Sequence, residues 1–304
     1  MKITYKRIKK TFIVCALASI TLAVLILLFI GEDSSSFSLS GRDTSSTTYK
    51  LSDDYIKFLD VGQGDSALIS SNGKTALIDM GPSTAATALA SKLSGSEVKS
   101  IDAALVSHFH EDHIGGLEYI YSAFPIKNLL IPDFHKTDED TSIVRRVWAN
   151  IDANGGGVYT VVEGVNFNVG EFTVTVLGYY PDLDNENNRS VFAMAELDGI
   201  KFLFTGDAEK EAEHRIIENA VDISCDVLKV AHHGSATSST KKFLEAADPD
   251  HCVISVGLGN QYSHPNDNVL ARYEEERRKI YRTDLLGDIT FNVNKGRINV
   301  ITNE

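Results

Sequence analysis

The chain has 304 residues, enough for one large domain or two small ones. Forty-two acidic residues against 29 Lys and Arg give a net charge of −13, and five of the bases lie in the first ten residues, so the body is more acidic still. That balance argues against tight non-specific binding to nucleic acid, although bound metal ions would supply local positive charge for attack on a phosphodiester.

Residues 1–10 (MKITYKRIKK) are basic, and residues 12–30 (FIVCALASITLAVLILLFI) are apolar with no charge, just long enough to span a bilayer. Positive charge before the run and Glu32-Asp33 after it predict a single-pass transmembrane anchor with an exported, extracellular body. A cleaved signal peptide is the alternative, but the run is long for one and no clear Ala-x-Ala site follows it. Residues 1–30 thus read as a basic N-terminus and signal anchor. Residues 31–52, rich in Ser, Thr, Gly and Asp, read as a flexible linker, and residues 53–304 as the folded body. Cys15 falls in the anchor. Cys225 and Cys252 fall in apolar strand-like runs and read as buried thiols, though outside the cell they could pair; none of the three has zinc-finger spacing.

The body opens with strand-like segments at 55–60, 66–70 and 74–79, the last two joined by a hairpin at Asn72-Gly73. Residues 61–66 (VGQGDS) are either a plain tight turn or a loop beside a polar pocket in which Asp65 orients a neighbour. Asp79, ending the third strand, is placed to orient a metal-ligating histidine. After a helix over 84–94, an apolar run at 103–106 leads into residues 107–116, SHFHEDHIGG. His108 and His110, two apart on an extended segment, can point to one side, while Asp112 and His113 fall after the bend and can aim at a second position. One loop at a strand end can therefore begin two adjacent sites for zinc, manganese or iron.

Beyond it a helix is predicted over 114–123, a strand over 127–131, and a helix over 140–152 around Trp148. Strands follow at 158–162, 165–169, 171–177 and 189–197, with a hairpin at Asp198-Gly199 into 200–205. The second half repeats the first in outline. Two such halves packed sheet on sheet, with helices outside, make an α+β four-layer αββα sandwich. Further strands end on ligand types: 200–205 at Asp207, 227–231 at His232-His233, and 252–256 before a loop carrying His264. Asp207 alone would read as the cap of a helix over 208–219; the repetition of strand and then ligand argues for more. His135, His214 and His251 read as structural or surface residues.

FLDVGQGDSALI (58–69), LIDMG (77–81), SHFHEDHIGG (107–116), NNRSVF (187–192), LFTGDA (203–208), LKVAHHGS (228–235) and His264-Pro265 occur in this order. Together they resemble the C-terminal hydrolase domain of ComEC-type competence proteins, of metallo-β-lactamase fold. The resemblance implies that fold and a site for two divalent metal ions, Zn or Mn. On it, His108 and His110 would bind one metal, Asp112 and His113 the other, and Asp207 would bridge them. Many members have another histidine where this chain has residues 187–190, NNRS. A histidine after Asp207 is then implied to fill the gap, with His233 the choice and His264 completing the second metal. His232 would stand behind the ligands or donate a proton, and the choice between His232 and His233 stays open. The polytopic channel region of ComEC proteins is not found in these residues, so no competence role is carried over.

Two metals held close together lower the pKa of a bridging water and yield hydroxide near neutral pH. Asp112 would orient it, His232 or His264 would protonate the leaving group, and Asn188, Arg189 and Ser235 are expected to contact a phosphate. The expectation is a membrane-anchored, extracytoplasmic metal-dependent phosphodiesterase or nuclease, acting on nucleic acid, a nucleotide or a cell-wall phosphodiester. Hydrolysis of another ester, lactone or amide, with β-lactams disfavoured, and a non-catalytic binding domain are the alternatives.

Overall fold

The computed structural model of the protein describes residues 53–137 and 139–302. The expected anchor at 12–30 and linker at 31–52 lie outside the described residues, among which no helix is long and apolar enough to cross a membrane.

Strands β1 (Tyr55–Phe58), β2 (Ala67–Ser71) and β3 (Lys74–Ile78) form an antiparallel meander, with Phe58 opposite Ala67 and Ala67 opposite Ile78. Helix α1 (Ala86–Gly95) leads to β4 (Ala103–Leu105). Helices α2 (Glu111–Ile114) and α3 (Leu117–Ala123) lead to β5 (Asn128–Ile131), and α4 (Ser142–Ala153) to β6 (Gly157–Thr160). From β3 to β6 the neighbours are parallel, as connections through helices allow. The second sheet begins antiparallel with β7 (Asn166–Val169), β8 (Phe172–Gly178), β9 (Phe192–Leu197) and β10 (Ile200–Phe204). It continues parallel: α5 (Lys210–Glu218), β11 (Val227–Lys229), α6 (Lys241–Ala247), β12 (His251–Ile254), α7 (Asp267–Glu275) and β13 (Lys279–Arg282). After α8 (Thr283–Leu286) the chain adds the hairpin β14 (Ile289–Asn294) and β15 (Arg297–Ile301) to the first sheet, with Phe291 opposite Ile56.

Three buried clusters account for the layering. Phe58, Ile69, Ile78 and Leu105 of the first sheet meet Val174, Ala195, Phe202 and Phe204 of the second. On the outer face of the first sheet, Leu68, Leu77 and Ala104 pack against Leu89, Leu93, Ile120 and Val147 from the helices. On the outer face of the second, Leu203, Leu228 and Ile254 pack against Ile216, Phe243 and Val269. Successive residues of one strand serve different clusters, as Leu77 and Ile78 do, because side chains alternate across a sheet. The result is an αββα sandwich with helices on both outer faces.

Three expectations change. The helix foreseen over 114–123 starts at Glu111 and breaks at Gly115-Gly116. The strand foreseen from 189 begins at Phe192, because Asn187–Arg189 form a 3-10 turn. The hairpin that returns to the first sheet was not foreseen, although alternating apolar residues around Lys295-Gly296, both at positive φ, carry its signal.

Candidate metal centre

The loop after β4 is held by its neighbours. The Met80 amide donates to the His113 carbonyl (2.7 Å), and the Asp65 amide to the Asp112 carbonyl (3.1 Å). Contact this close requires glycine. A Cβ on Gly64 would lie 2.4 Å from the Asp112 carbonyl oxygen, and one on Gly116 2.3 Å from that of Met80. The two short motifs around Asp65 and Asp79 are thus the bed on which the histidine loop rests.

Ligand-type side chains converge there in two groups that share one carboxylate. Asp112, His113, Asp207 and His233 form one, and His108, His110 and Asp207 the other, each with donor atoms within 4.8 Å of one another. His108 Nε2 lies 3.0 Å from His110 Nδ1. His113 Nε2 lies 3.2 Å from Asp207 Oδ1, and His233 Nε2 lies 3.2 Å from Asp112 Oδ2. Donors bound at about 2.0–2.1 Å around a tetrahedral ion stand roughly 3.3 Å apart, so these spacings suit a metal. His113 Nε2 and Asp207 Oδ1, both buried, face each other at 3.2 Å without hydrogen-bond geometry, an arrangement that a cation between them would satisfy better. The residues fit divalent metal binding.

The far side of each ring is fixed. His113 Nδ1 is 2.8 Å from Asp79 Oδ2, and Asp79 also accepts from the Ser107 amide and hydroxyl, both at 2.7 Å. His233 Nδ1 is 2.8 Å from the Ser255 carbonyl and 3.3 Å from Asp65. These contacts leave Nε2 of each ring toward the ligand groups. Asp65, Asp79 and His113 also cluster. There the Lys229 ammonium, 2.6 Å from Asp65, already supplies the cation.

Burial pushes these groups toward their neutral forms. Against it, His233 and His113 hold Asp207 and Asp112 below the usual carboxylate range. Against the same burial, Asp207 and Asp79 hold His113 well above the ordinary histidine value, and Asp207 and Asp65 push His233 up to about 10. His108 goes the other way: burial and then the charge on His113 take it well down. Protons on His113 and His233 thus balance the carboxylates where divalent ions would do so, and metal uptake would release them.

The distant histidines divide. His232 and His233 both adopt left-handed backbone (φ 49° and 53°), a strain of about 1–3 kcal/mol each. This turn sends the two rings to different partners. His233 joins the Asp112 group, not the His108 group for which it was the expected completion. His232 stays outside both groups, its Nε2 3.7 Å from Asp207 and its Nδ1 3.3 Å from Glu209. His264 is also outside both. Its ring centroid lies 5.4 Å from that of His232 and 6.3 Å from that of His233, and burial takes its pKa down to about 4.

The expected substrate contacts are engaged with the protein. Asn188 is buried and accepts the amides of Glu209 and Ala212, capping α5, while its amide donates to Glu211. Arg189 Nε donates to the Leu183 carbonyl and its Nη1 lies 3.5 Å from Glu186. The buried Ser235 hydroxyl lies 3.0 Å from that of Thr237. A groove of about 790 Å³, lined by Asn188, Glu209, Thr237, Lys241 and Arg272 among others, runs up to His232, which its lining residues Glu209 and Thr237 contact. Sequence reading passed over Glu209, Ser107 and Lys229, which carry no metal-ligand spacing; only their adjacency to the ligands marks them. His214 is exposed, His135 stacks on Phe134 and His251 on Tyr281, and Cys225 and Cys252 are buried free thiols.

Residues 59–257 match the Metallo-beta-lactamase superfamily. The chain is 29% identical over 257 residues to ComE operon protein 3 of Bacillus subtilis (strain 168), covering 78% of this chain and 32% of that protein. It is 29% identical over 243 residues to Competence protein ComA of Neisseria gonorrhoeae, covering 79% of this chain and 32% of that protein. The chain thus spans about a third of the length of these curated relatives. Among solved structures, CmlA, a diiron beta-hydroxylase from Streptomyces venezuelae, superposes with a TM-score of 0.54 at 15% identity over 80% of this chain and 54% of that one, a likeness of fold.

Proposed function

The chain belongs to the metallo-beta-lactamase superfamily and carries the residues of a metal-dependent hydrolase, and from that premise we propose a phosphodiesterase or nuclease with two divalent ions, Zn or Mn, anchored in the membrane through residues 12–30 with its body outside the cytoplasm. One observation carries the site: the buried Asp207 carboxylate belongs to both ligand groups. The phosphodiester reading rests on the likeness to the ComEC branch. Nucleic acid, a nucleotide and a cell-wall phosphodiester all fit it.

His108, His110, Asp112, His113, Asp207 and His233 would hold the ions, with His264 beside the second. Bound there, they supply Lewis-acid polarisation and lower the pKa of water. Asp112, the most exposed carboxylate of the cluster, with its side chain 29% accessible, can orient the attacking water. Glu209 fixes Nδ1 of His232, leaving Nε2 to give a proton to the leaving oxygen. His264, its pKa taken down to about 4 by burial, is neutral near pH 7 and stands beside the ions rather than supplying the proton.

The test is metal content and turnover of bis(p-nitrophenyl) phosphate by the full chain with Zn or Mn, against a double variant, Asp207→Ala with His110→Ala. Metal-dependent turnover lost in the double variant is the expected result. Two bound ions without turnover would transfer the reading to carboxylic esters, lactones or amides, and no bound ion would end it. C-terminal alkaline phosphatase and fluorescent-protein fusions test the location; an inactive phosphatase with a bright fluorophore would refute an exported body.

A further inference from the structure

Beside the ligand cluster, residues 257–266 form a loop that exposes two large apolar side chains, Leu258 (80% exposed) and Tyr262 (58%). The exposure is built in. Asn260 donates to the carbonyls of Gly257 (3.0 Å) and His264 (2.6 Å) and accepts the amides of Tyr262 and His264, both at 3.1 Å. The Gly257 amide in turn donates to Gln63 Oε1 (3.2 Å), tying the loop to the turn that carries Asp65. These four bonds to backbone atoms fix the path of the loop on both sides of Tyr262.

Its ring lies against His264, centroids 5.8 Å apart at 28°, and His264 in turn lies against His232 and His233. The stack runs from the ligand cluster outward and ends in an aromatic face open to solvent. By contrast, no aromatic residue lines the groove that reaches His232 through Glu209 and Thr237. Polyol phosphodiesters of a cell wall have no π-face to place on such a ring, whereas every nucleobase has one, and stacking tolerates any base. The net charge of −13 disfavours a long duplex but not one stacked nucleotide.

Resting on the phosphodiesterase reading, we propose that Tyr262 is a stacking platform for a nucleobase next to the scissile phosphodiester, so that the substrate is a nucleotide or single strand. The test compares kcat/KM for thymidine 5′-(p-nitrophenyl phosphate) and methyl p-nitrophenyl phosphate, which share a leaving group and differ in the base. The metal-loaded full chain, Tyr262→Ala and Tyr262→Phe are measured. The wild type is expected to prefer the thymidine ester. In Tyr262→Ala that preference falls about tenfold, through KM, and in Tyr262→Phe it survives, because the ring and not the hydroxyl stacks. An equal preference in Tyr262→Ala and wild type overturns the platform. Turnover of both esters by the wild type with no preference overturns the platform and leaves the phosphodiesterase standing. Turnover of neither ester overturns both.

Discussion

The Lys229 ammonium lies 2.6 Å from Asp65 Oδ2, and the two side chains are only 4% and 6% exposed. Lys229 ends β11, just before the His232-His233 turn, and Asp65 presents its other oxygen to His233 Nδ1 at 3.3 Å. A buried cation therefore stands behind a ligand histidine, joined to it by one carboxylate. The Ser255 carbonyl, 2.8 Å from Nδ1, orients the His233 ring, and the Lys229–Asp65 pair adds a negative charge beside the same nitrogen.

Lys229→Met leaves Asp65 as an uncompensated buried charge, which costs about 3–5 kcal/mol. Replacing both partners, Lys229→Met with Asp65→Leu, costs less than the single change, since no lone charge remains. Metal affinity falls about 10-fold in the double variant, where His233 loses the carboxylate beside Nδ1 and keeps only the Ser255 carbonyl. Urea unfolding and metal titration read these separately. A Lys229→Met protein as stable as wild type would mean that the pair does not hold this corner.

Asp207 is shared, and His110 is not. Asp207→Ala is expected to lose both ions, while His110→Ala keeps the ion of the Asp112, His113 and His233 group. Elemental analysis after gel filtration gives ions per chain directly. Chelation of the wild type lowers its Tm, since binding at a thousand times Kd adds about 4 kcal/mol to the folded state. Two ions per chain in Asp207→Ala would contradict a shared carboxylate.

These features differ in how far they can be read along the chain. The histidine loop, Asp207 and the His232-His233 pair each follow an apolar strand, so local pattern alone marks them, and strand alternation marks the sandwich. The group that His233 joins depends on two consecutive left-handed residues, which local sequence does not dictate. Lys229 and Asp65 meet only because the two sheets close on each other. Asn188 sits in a motif shared with hydrolases and was read as a phosphate contact; its role at α5 depends on a helix that starts some twenty residues later. The return of β14 to β1 is likewise a pairing between the two ends of the described body.

Asn188→Ala removes the acceptor for two amides at the start of α5 and is expected to cost about 1–2 kcal/mol. Bound metal stays unchanged, because Asn188 belongs to neither ligand group. Thermal unfolding and metal content together distinguish a cap from a substrate contact. An unaltered Tm with a raised KM would restore the phosphate-binding role.

Glu213 of α5 is buried beneath the loop that follows the His232-His233 turn, accepting the amides of Ser239 (2.5 Å) and Thr240 (2.8 Å). Burial pushes its carboxyl up to about 7, although the Thr240 and Ser239 bonds and Arg272 oppose the rise. A raised pKa means that the folded protein holds a proton that the unfolded chain has released. The contribution of this group to stability is therefore full below the ordinary glutamate value and lost as pH rises through about 7. Over that window it amounts to about 3 kcal/mol. Wild-type stability relative to Glu213→Gln, whose amide stays neutral throughout, is then expected to fall between pH 5 and pH 8, and urea midpoints across this range measure it. Parallel pH profiles for the two proteins would mean that Glu213 is ionised in the folded state, held down by its two amide donors.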